Sequence, residues 1–373
     1  YNTLRHLAEY DDLDLHVVTC EKWHTRRAQG DGVAEQDGWT VHYLPSPPRL
    51  PHSLTMLTLD RLAVRRRIVS LAPDVVHAHG QAAAYPFAAF DTGRPTLVTV
   101  HGINMLEAQV DPRGGALIGK VRVALWAMAE KQCLRRASNI AVISPFVAQA
   151  ISPYTRAQLH PVENPVHDDL FLIEPAPEAG KVLLVGSIQK RKGILEAIDA
   201  MALVREQVPG ARLYIAGGLS PAYAGYGHDV LHRLAETEAK EYVHLLGNLA
   251  HPALLEAYRT SQLFLFPSHL EASSVAVAEA LAAGLPCVVS DIGGTAHLVT
   301  EGVSGHLVPP GDIGAFARRV VELLRHPERA RTMGQHGRAF ARDHASARVA
   351  AKKTHDLYFA LVQARAPEIG IPV

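Results

Sequence analysis

Residues 263–290 read LFLFPSHLEASSVAVAEALAAGLPCVVS, and this stretch decides the fold. A short apolar run leads into a loop opened by Pro267 and Ser268. An alanine-rich segment follows as far as Gly284, and a second apolar run closes the stretch. The pattern predicts a strand, a helix and a strand, which make a βαβ unit. Because open α/β sheets bind ligands at the carboxyl ends of their strands, we expect residues 269–274 to line a cleft.

Two carboxylates stand eight residues apart in this unit, Glu271 in the predicted loop and Glu279 in the predicted helix. That spacing is about 2.2 helical turns and about 12 Å, so both can reach one elongated ligand. The amides of Ser273, Ser274 and Val275 are predicted to be unpaired at the helix start, where anions bind. Carboxylates on either side of an anion site suit a nucleotide sugar. In the alternative interpretation, Glu279 faces solvent and Glu271 caps the helix.

A basic loop lies in a second segment, residues 182–198, which read VLLVGSIQKRKGILEAI. Its pattern predicts a strand that ends at Gly186 and a helix that begins at Gly193. Lys190, Arg191 and Lys192 lie between them, and three cations at a helix start suit a diphosphate. The GxxxxGK[ST] and GxGxxG patterns of other phosphate-binding loops are absent. A solvated basic loop is the alternative.

The composition limits the classes of function. The chain has 373 residues, of which 48% are hydrophobic, and its 37 basic residues balance 37 acidic ones. This zero net charge argues against non-specific nucleic-acid binding. Cys20, Cys133 and Cys287 fit neither a zinc nor a disulfide pattern, so we expect reduced thiols and a cytoplasmic location. No apolar run approaches the about 20 residues that span a membrane, and no signal-peptide pattern is present.

The first half of the chain alternates predicted strands and helices. This alternation predicts a parallel sheet with helices on both faces. Because the chain opens on a helix, a first strand and its loop are expected to be missing. The strands are predicted at Leu15–Cys20, Thr40–Leu44, Asp74–Ala78, Pro95–Val100 and Asn139–Ile143, and the helices at Leu54–Leu71, Gln81–Phe90, Leu117–Arg136 and Pro145–Ile151.

Histidines stand at two of these strand ends. VVHAHG carries His77 and His79, and VTVHG carries His101. His77 and His79 alternate with apolar neighbours, so we interpret them as structural, and we expect no metal site because no further ligand follows at suitable spacing. For His101, the functional and structural interpretations stay equally open. The arginines at 61 and 65–67 are interpreted as a solvated helix face, with attraction to an anionic membrane surface as the alternative.

Two domains are predicted. Residues 164–180 are rich in prolines and acids, as linkers are, and a second alternation of strands and helices follows them. We predict domains at 1–165 and 178–345, both doubly wound and Rossmann-like, that face a central cleft. The last helix, at about 350–373, is expected to pack back on the first domain.

Several motifs run along the chain: VTVHG near residue 100, ISPF at 143, ENPV at 163, VGS with KRKG from 185, and the two glutamates separated by seven residues in 269–294. With these motifs the chain resembles the family 4 retaining glycosyltransferases, or glycosyl transferases group 1. The glutamate pattern is the most specific motif, and the resemblance covers nearly the whole chain. It implies the α/β fold called GT-B and a hexosyltransferase activity.

The resemblance also implies roles for single residues. Glu279 would accept hydrogen bonds from the ribose hydroxyls of the donor, and Glu271 would contact its hexose. Lys192 would neutralise the diphosphate, and His101 would contact the sugar from the first domain. Glu271, Lys192 and His101 are thus the expected catalytic residues. The further donor-binding residues are predicted to be Gly186, Ser187, Lys190, Arg191, Ala272, Ser273 and Ser274.

This sequence departs from the family pattern at one of these positions. Most relatives carry an arginine where this chain has Ser187. That arginine is a second cation on the diphosphate. Two outcomes stay open: Lys190 or Arg191 compensates for its absence, or donor binding is weakened.

The expected reaction is the transfer of a sugar from a nucleoside diphosphate sugar to a glycan, lipid or small-molecule acceptor. The resemblance implies front-face displacement with retained configuration. No metal or other cofactor is expected, because cations and dipoles already face the phosphates. A nucleotide-sugar epimerase and a non-catalytic sugar-nucleotide binding protein are the alternatives. A cytoplasmic location is expected, and peripheral association with the inner membrane face and the oligomeric state are left open.

Overall fold

The computed structural model describes residues 2–22, 32–46, 58–82, 84–106, 117–219 and 223–364. These residues divide into two compact units. The first unit contains the described residues up to 106, residues 117–163 and the C-terminal segment from 347. The second unit is built from residues 164–346. Each unit has parallel strands of its own.

Two sheets form in the described part of the first unit. Strands β4 to β7 make a parallel sheet in that order. In the other sheet, β1 pairs in parallel with β3, while β2 is antiparallel to β3. The single parallel sheet predicted for this half therefore needs correction, because the strands before residue 47 form a separate, mixed sheet. The strands are β1 (His16–Lys22), β2 (Val33–Gln36), β3 (Trp39–Ser46), β4 (Val76–His79), β5 (Thr96–Val100), β6 (Asn139–Val142) and β7 (Gln158–Pro161).

The antiparallel pair β2–β3 is joined by a tight turn at Asp37 and Gly38. Both residues have positive φ angles, 45° for Asp37 and 93° for Gly38. Two-residue hairpin turns of type I′ need positive φ at both central positions, which is why Asp-Gly favours them. Neither this turn nor β2 was predicted from the sequence.

The described residues of the first unit form six helices. The last of them contacts the start of the chain: the rings of Tyr10 and His355 stack with centroids 4.0 Å apart, and Nε2 of His355 lies 3.1 Å from Oδ1 of Asp12. Lys353 also forms an ion pair with Glu163. Residues 54–57 of one predicted helix lie outside the described residues. The helices are α1 (Asn2–Leu7), α2 (Leu59–Leu71), α3 (Ala84–Phe90), α4 (Leu117–Arg136), α5 (Pro145–Ile151) and, at the end of the chain, α13 (Ala347–Gln363).

The second unit contains one sheet of six parallel strands in the order β10-β9-β8-β11-β12-β13. Numbered from the first strand of the unit, this order is 3-2-1-4-5-6, the doubly wound arrangement of Rossmann folds. The chain changes direction across the sheet between β8 and β11. That topological switch point is where such sheets bind ligands. The strands are β8 (Lys181–Val185), β9 (Arg212–Ala216), β10 (Val243–Gly247), β11 (Leu263–Phe266), β12 (Cys287–Ser290) and β13 (Gly305–Val308).

The predicted βαβ unit at 263–290 is confirmed as β11, α9 and β12. All four residues of β11 are fully buried, as are Cys287 and its two following valines. Parallel strands covered on both faces require such continuous apolar runs, which explains why the stretch was readable. The helices of this unit are α6 (Ile194–Gln207), α7 (Ala224–Glu236), α8 (His251–Thr260), α9 (Val275–Ala282), α10 (Gly293–Ala296), α11 (Ile313–Arg325) and α12 (Pro327–His344).

The three cysteines are unpaired. Cys133 and Cys287 are buried and Cys20 is half-buried. Burial raises the pKa of the Cys20 thiol to about 11 and that of Cys133 to about 12, so both stay protonated at neutral pH. Within the described ranges, the structure contains no helix with the length and apolar character to cross a bilayer.

Candidate active site

Two loops meet at the topological switch point of the second unit. Strands β8 and β11 are neighbours, with Val182 opposite Leu263. The loop after β8 covers residues 186–193, and the loop after β11 covers residues 267–274. The amide of His269 in the second loop donates to the carbonyl of Arg191 in the first, at 2.7 Å. The two segments singled out in the sequence are thus brought together.

Gly193 lets the first loop lie directly against the second. Its φ is +66°, and a Cβ atom at this position would lie 2.0 Å from the carbonyl oxygen of Pro267. A side chain there would require a left-handed backbone and would overlap the neighbouring loop. Glycine at 193 is therefore a condition for this contact.

The carboxylate of Glu271 contacts side chains of both loops. Its Oε1 accepts from Nζ of Lys192 at 2.7 Å and from Nη1 of Arg191 at 3.0 Å, and the hydroxyl of Ser268 lies 2.8 Å away. Only 8% of the Glu271 side chain is exposed, so these charge-assisted bonds are partly shielded from water. Two cations share one carboxylate, which leaves the cluster with a positive charge.

Lys192 is held in a fixed position. Its aliphatic stem packs against Gly186, where a Cβ would lie 3.5 Å from Cδ of the lysine. Its Nζ lies 4.9 Å from the centroid of the Phe266 ring, within the range of a cation–π contact. Lys190, two residues earlier, is exposed. The loop thus offers a positioned cation beside a solvent-exposed one.

Ser187 is linked to the same cluster through Gln189. The side-chain amide of Gln189 donates to the hydroxyl oxygen of Ser187, and its Oε1 accepts from Nε of Arg191 at 3.2 Å. Gln189 is 7% exposed. Arg191 therefore contacts both Gln189 and Glu271. Its guanidinium lies in the same cluster as Ser187, the position at which most relatives carry an arginine.

The start of α9 differs in one respect from the predicted anion site. The hydroxyl oxygen of Ser274 caps the helix by accepting from the amide of Val277 at 3.4 Å. The amide of Ser274 donates to the carbonyl of Gly294 at 3.2 Å, so the prediction that it is unpaired is wrong. Gly294 lies in the short helix α10 that follows β12, so residues 263–290 alone could not reveal this contact. Among the described residues, the amides of Ser273 and Val275 have no hydrogen-bond acceptor.

Glu279 lies in α9 and accepts at Oε2 from the hydroxyl of Tyr258, at 2.9 Å. Tyr258 is fully buried. Burial raises the pKa of Glu279 above its ordinary value, while the hydrogen bond from Tyr258 and the proximity of His251 act in the opposite direction. Glu279 is half-buried and hydrogen-bonded, so the alternative interpretation in which it faces solvent is wrong.

His101 lies in the first unit, directly after β5. Its Nε2 lies 3.0 Å from Nδ1 of His79, and the two rings stack with centroids 5.3 Å apart. His77 stacks on the other side of His79 and bonds through its ring nitrogens to Tyr358 at 2.8 Å and Thr99 at 2.6 Å. Desolvation within this stack, with the adjacent His101, lowers the pKa of His79 to about 4. His79 is thus a neutral partner that orients His101.

The loop that carries His101 is held by Glu130 of α4. Glu130 is 1% exposed, and its Oε1 accepts from the amide of Asn104 at 3.0 Å while Oε2 accepts from the amide of Met105 at 3.1 Å. Its Oε1 also accepts from the side chain of Gln81 at 2.6 Å, and that side chain donates to the carbonyl of Gly102. One buried carboxylate therefore fixes the backbone on the C-terminal side of His101.

Two family models match the chain in succession. The model described as glycosyl transferases group 1 matches residues 172–340, and the model described as a glycosyl transferase 4-like domain matches residues 2–165. The chain belongs to the group 1 glycosyltransferases. The family and enzyme class predicted from the motifs are thereby confirmed.

Relatives match this glycosyltransferase over different shares of its length. Glycogen synthase of Mycobacterium tuberculosis is 27% identical over 327 residues, which are 85% of this chain and 75% of that protein. D-inositol 3-phosphate glycosyltransferase of Mycolicibacterium smegmatis is 35% identical over 167 residues, 44% of this chain and 37% of that protein.

Solved structures support the fold. Sucrose-phosphate synthase of Thermosynechococcus elongatus superposes with a TM-score of 0.78 at 22% identity and covers 97% of this chain and 92% of that chain. Anabaena HepE, solved with UDP and glucose, superposes with a TM-score of 0.68 at 20% identity and covers 86% of both chains. The predicted α/β class of GT-B type is confirmed.

The glycosyltransferase gathers most of its predicted site residues at one point. The two loops carry Gly186, Ser187, Lys190, Arg191, Lys192, Glu271, Ala272, Ser273 and Ser274, and Glu279 follows in α9. His101 belongs to the other unit. Sequence reasoning missed Ser268, Gln189, Tyr258 and Glu130, which contact these residues. Glu130 alone had a visible signal, an acidic residue in the otherwise apolar segment ALWAMAE.

Proposed function

We propose that the glycosyltransferase moves a sugar, with retained configuration and without a metal ion, from a nucleoside diphosphate sugar to a hydroxyl of a glycan, lipid or small-molecule acceptor. The observation that carries the proposal is the cluster of Lys192, Arg191 and Glu271 at the topological switch point. The cations of this cluster can bind an anionic group, and its carboxylate can accept hydrogen bonds from hydroxyls. A nucleotide sugar carries both an anionic diphosphate and sugar hydroxyls.

The diphosphate is proposed to bind between the basic loop and the start of α9. Three cations, Lys190, Arg191 and Lys192, lie near two carboxylates, Glu271 and Glu196 of α6, so the site keeps an excess of positive charge. The amides of Ser273 and Val275 add the positive end of a helix dipole. When the bond to the anomeric carbon breaks, negative charge develops on the leaving diphosphate. Fixed cations and dipoles stabilise that charge without reorganising.

Glu271 is proposed to have two tasks. It holds the ammonium group of Lys192 at 2.7 Å, and a carboxylate oxygen that accepts from a sugar hydroxyl would orient the hexose next to that cation. Glu279 is proposed to accept from the ribose hydroxyls, with Tyr258 fixing its carboxylate. His101 is proposed to contact the transferred sugar, a role that rests on the family resemblance.

Retention and metal independence are parts of the proposal that rest on the same residues. Three basic side chains and two helix amides replace the cation that other glycosyl transfer sites use to neutralise a diphosphate. Front-face displacement needs no protein nucleophile, because the leaving diphosphate itself assists the acceptor hydroxyl. The solved structure of HepE with UDP and glucose supports a test of glucose donors first.

The test is a transfer reaction followed by proton NMR. The purified chain is incubated with UDP-glucose, ADP-glucose or GDP-mannose and a panel of sugar acceptors, in buffer with excess EDTA. The proposal predicts acceptor-dependent release of nucleoside diphosphate and an α-linked product from an α-linked donor. A β-linked product, or turnover that requires Mg²⁺ or Mn²⁺, would contradict it. An isomerised nucleotide sugar formed without acceptor would indicate an epimerase instead.

We also propose that α2 attaches the protein to an anionic membrane surface. Leu62, Arg66 and Val69 recur at helical spacing and are exposed, so this face offers two apolar side chains and one cation to an anionic surface. Arg61 is not available in the same way, because it forms an ion pair with Asp91. Co-sedimentation with vesicles of phosphatidylglycerol should exceed that with phosphatidylcholine, and Arg66→Ala should lower it. Equal sedimentation with both lipids would contradict this proposal.

A further inference from the structure

Three side chains with metal-ligand chemistry converge outside the two loops of the switch point. His167, Asp169 and His251 each offer one ligand atom, and these atoms all lie within 4.8 Å of one another. His167 and Asp169 stand at the start of a short 3-10 helix, Asp168–Leu172, just after the chain enters the second unit. His251 is the first residue of α8. The cluster therefore joins two segments 82 residues apart in the sequence.

The spacing of the three atoms fits a tetrahedral metal centre. Oδ2 of Asp169 lies 3.3 Å from Nδ1 of His167 and 3.3 Å from Nε2 of His251. Zinc binds imidazole nitrogen and carboxylate oxygen at about 2.0–2.2 Å, so two ligand atoms of a tetrahedron are about 3.3–3.5 Å apart. Two edges of such a tetrahedron are already formed by side chains of this protein.

The hydrogen bonding in the cluster also favours a cation. The amide of Asp169 donates to Nδ1 of His167 at 3.3 Å, so this nitrogen presents a lone pair. The carboxylate oxygen of Asp169 faces the same nitrogen at 3.3 Å. Two acceptors at that distance repel each other, and a positive charge between them removes the repulsion. A metal ion bound at Nδ1 would replace the long hydrogen bond from the amide.

Access to the cluster is open. The exposed fractions are 26% for the His167 side chain, 46% for Asp169 and 43% for His251. The ring centroids of His167 and His251 lie 4.3 Å apart, and the ring planes are tilted by 48°. A metal ion can enter from solvent, and water can fill the remaining coordination position, as in other three-ligand zinc sites.

We propose that His167, Asp169 and His251 form a binding site for a divalent transition-metal ion such as Zn²⁺. Two imidazoles and one carboxylate favour Zn²⁺, Co²⁺, Ni²⁺ and Cu²⁺ over Mg²⁺ and Ca²⁺, which prefer sets of oxygen ligands. The bound ion links the segment that enters the second unit to the start of α8. It shares no residue with the proposed diphosphate site, and because His251 also lies near Glu279, Co²⁺ binding is measured without any donor.

The experiment is a titration of the full chain, stripped of metal and free of any histidine tag, with Co²⁺. Tetrahedral Co²⁺ absorbs in the visible range, and competition with Zn²⁺ then ranks the two ions. We expect one Co²⁺ per chain, displaced by Zn²⁺ and not by Mg²⁺. Binding of Zn²⁺ should also raise the melting temperature, since a ligand specific to the folded state stabilises it.

Three single variants test the ligands, and one serves as the control. Asp169→Asn, His167→Gln and His251→Gln should each weaken Co²⁺ binding at least tenfold. His232→Gln removes an exposed histidine that lies outside the cluster, where it pairs with Glu236 and stacks on His228, and should leave the affinity unchanged. Because all three ligand side chains reach solvent, the variants are expected to fold, which circular dichroism checks. The proposal is overturned by absence of saturable binding, by variants that bind Co²⁺ as tightly as the unsubstituted chain does, or by displacement with Mg²⁺.

Discussion

Nζ of Lys192 lies 2.7 Å from Oε1 of Glu271, and only 12% of the lysine side chain and 8% of the glutamate side chain are exposed. The carboxylate thus fixes the ammonium group at the carboxyl ends of β8 and β11. A cation held in place before a ligand arrives loses little freedom when it meets a phosphate. This relationship explains how a glutamate in the site helps to bind an anion.

Lys192→Ala removes the positioned cation and should lower turnover at least tenfold, which corresponds to about 1.4 kcal/mol in the barrier. The loss should appear in kcat more than in KM, because the charge on the diphosphate grows in the transition state. Steady-state kinetics with the preferred donor measure both constants. Lys240→Ala, at an exposed position outside both loops, is the matched control. An equal loss in both variants would contradict the role of Lys192.

Donor affinity should depend on pH through Glu279. Burial raises the pKa of this carboxyl, and only the ionised form accepts from both ribose hydroxyls. Affinity for UDP-glucose should therefore be constant at high pH and fall as the pH drops through the raised pKa. Tyr258→Phe removes a hydrogen bond that lowers the pKa, so the fall should move to higher pH. Calorimetric titrations from pH 4.5 to 8 measure it, and an unshifted profile in Tyr258→Phe would count against this account.

The raised pKa of Glu279 also predicts how the stability of the protein depends on pH. A salt-bridged carboxylate makes a protein more stable as the pH rises, and Glu279 should make it less stable. The folded chain holds the Glu279 proton more tightly than the unfolded chain does, so ionising Glu279 lowers the free energy of unfolding as the pH rises from 4.5 through the raised pKa. Glu279→Gln should therefore gain stability relative to the natural chain over this window. Melting temperatures at a series of pH values test the trend, which a constant difference would contradict.

Gly193→Ala should destabilise the second unit. The left-handed backbone costs a non-glycine residue about 1–3 kcal/mol, and the new Cβ would overlap the carbonyl of Pro267. Gly210→Ala is the matched control, because its Cβ would meet no atom within 4 Å. Urea unfolding followed by circular dichroism compares the two variants. Equal stability of both would mean that the two loops do not lie against each other as described.

Glu130→Gln should disturb the loop of His101 without touching substrate. The glutamine would present an NH₂ group to the backbone amides of Asn104 or Met105, and a lost buried hydrogen bond costs about 1–3 kcal/mol. If Glu130 positions His101, turnover should fall while donor affinity in the second unit is unchanged. In a His101→Ala background the same substitution should cost no further turnover. An additive loss would show that Glu130 acts only on stability.

The parts of the fold that were readable from the sequence are those set by local patterns. The apolar runs of β11 and β12 lie in the middle of a parallel sheet, where both faces are buried, so composition alone marks them. The motif of Glu271 and Glu279 likewise lies within one βαβ unit. The edge hairpin β2–β3 was missed because β2 carries the short, mostly exposed segment VAEQ. Only its Asp37–Gly38 turn gave a local signal.

The parts that were not readable depend on contacts between distant segments. The carbonyl of Gly294 in α10 accepts from the amide of Ser274, and a Cβ at 294 would lie 2.0 Å from the carbonyl oxygen of Glu271. The start of α10 and the loop after β11 therefore fix each other's position. Glu130 reaches the loop after β5 from the middle of a helix. His251 meets Asp169 across 82 residues. No pattern within a single stretch encodes such pairings, because they arise only when the sheet is assembled.

The most direct test of the central claim is a crystal structure of the chain with the nucleoside diphosphate that stabilises it most in a thermal-shift screen. The account predicts that a phosphate oxygen lies within hydrogen-bond distance of Nζ of Lys192 and of the amide of Ser273 or Val275, and that the ribose hydroxyls reach Glu279. A diphosphate bound elsewhere, with the Lys192–Glu271 pair untouched, would contradict it.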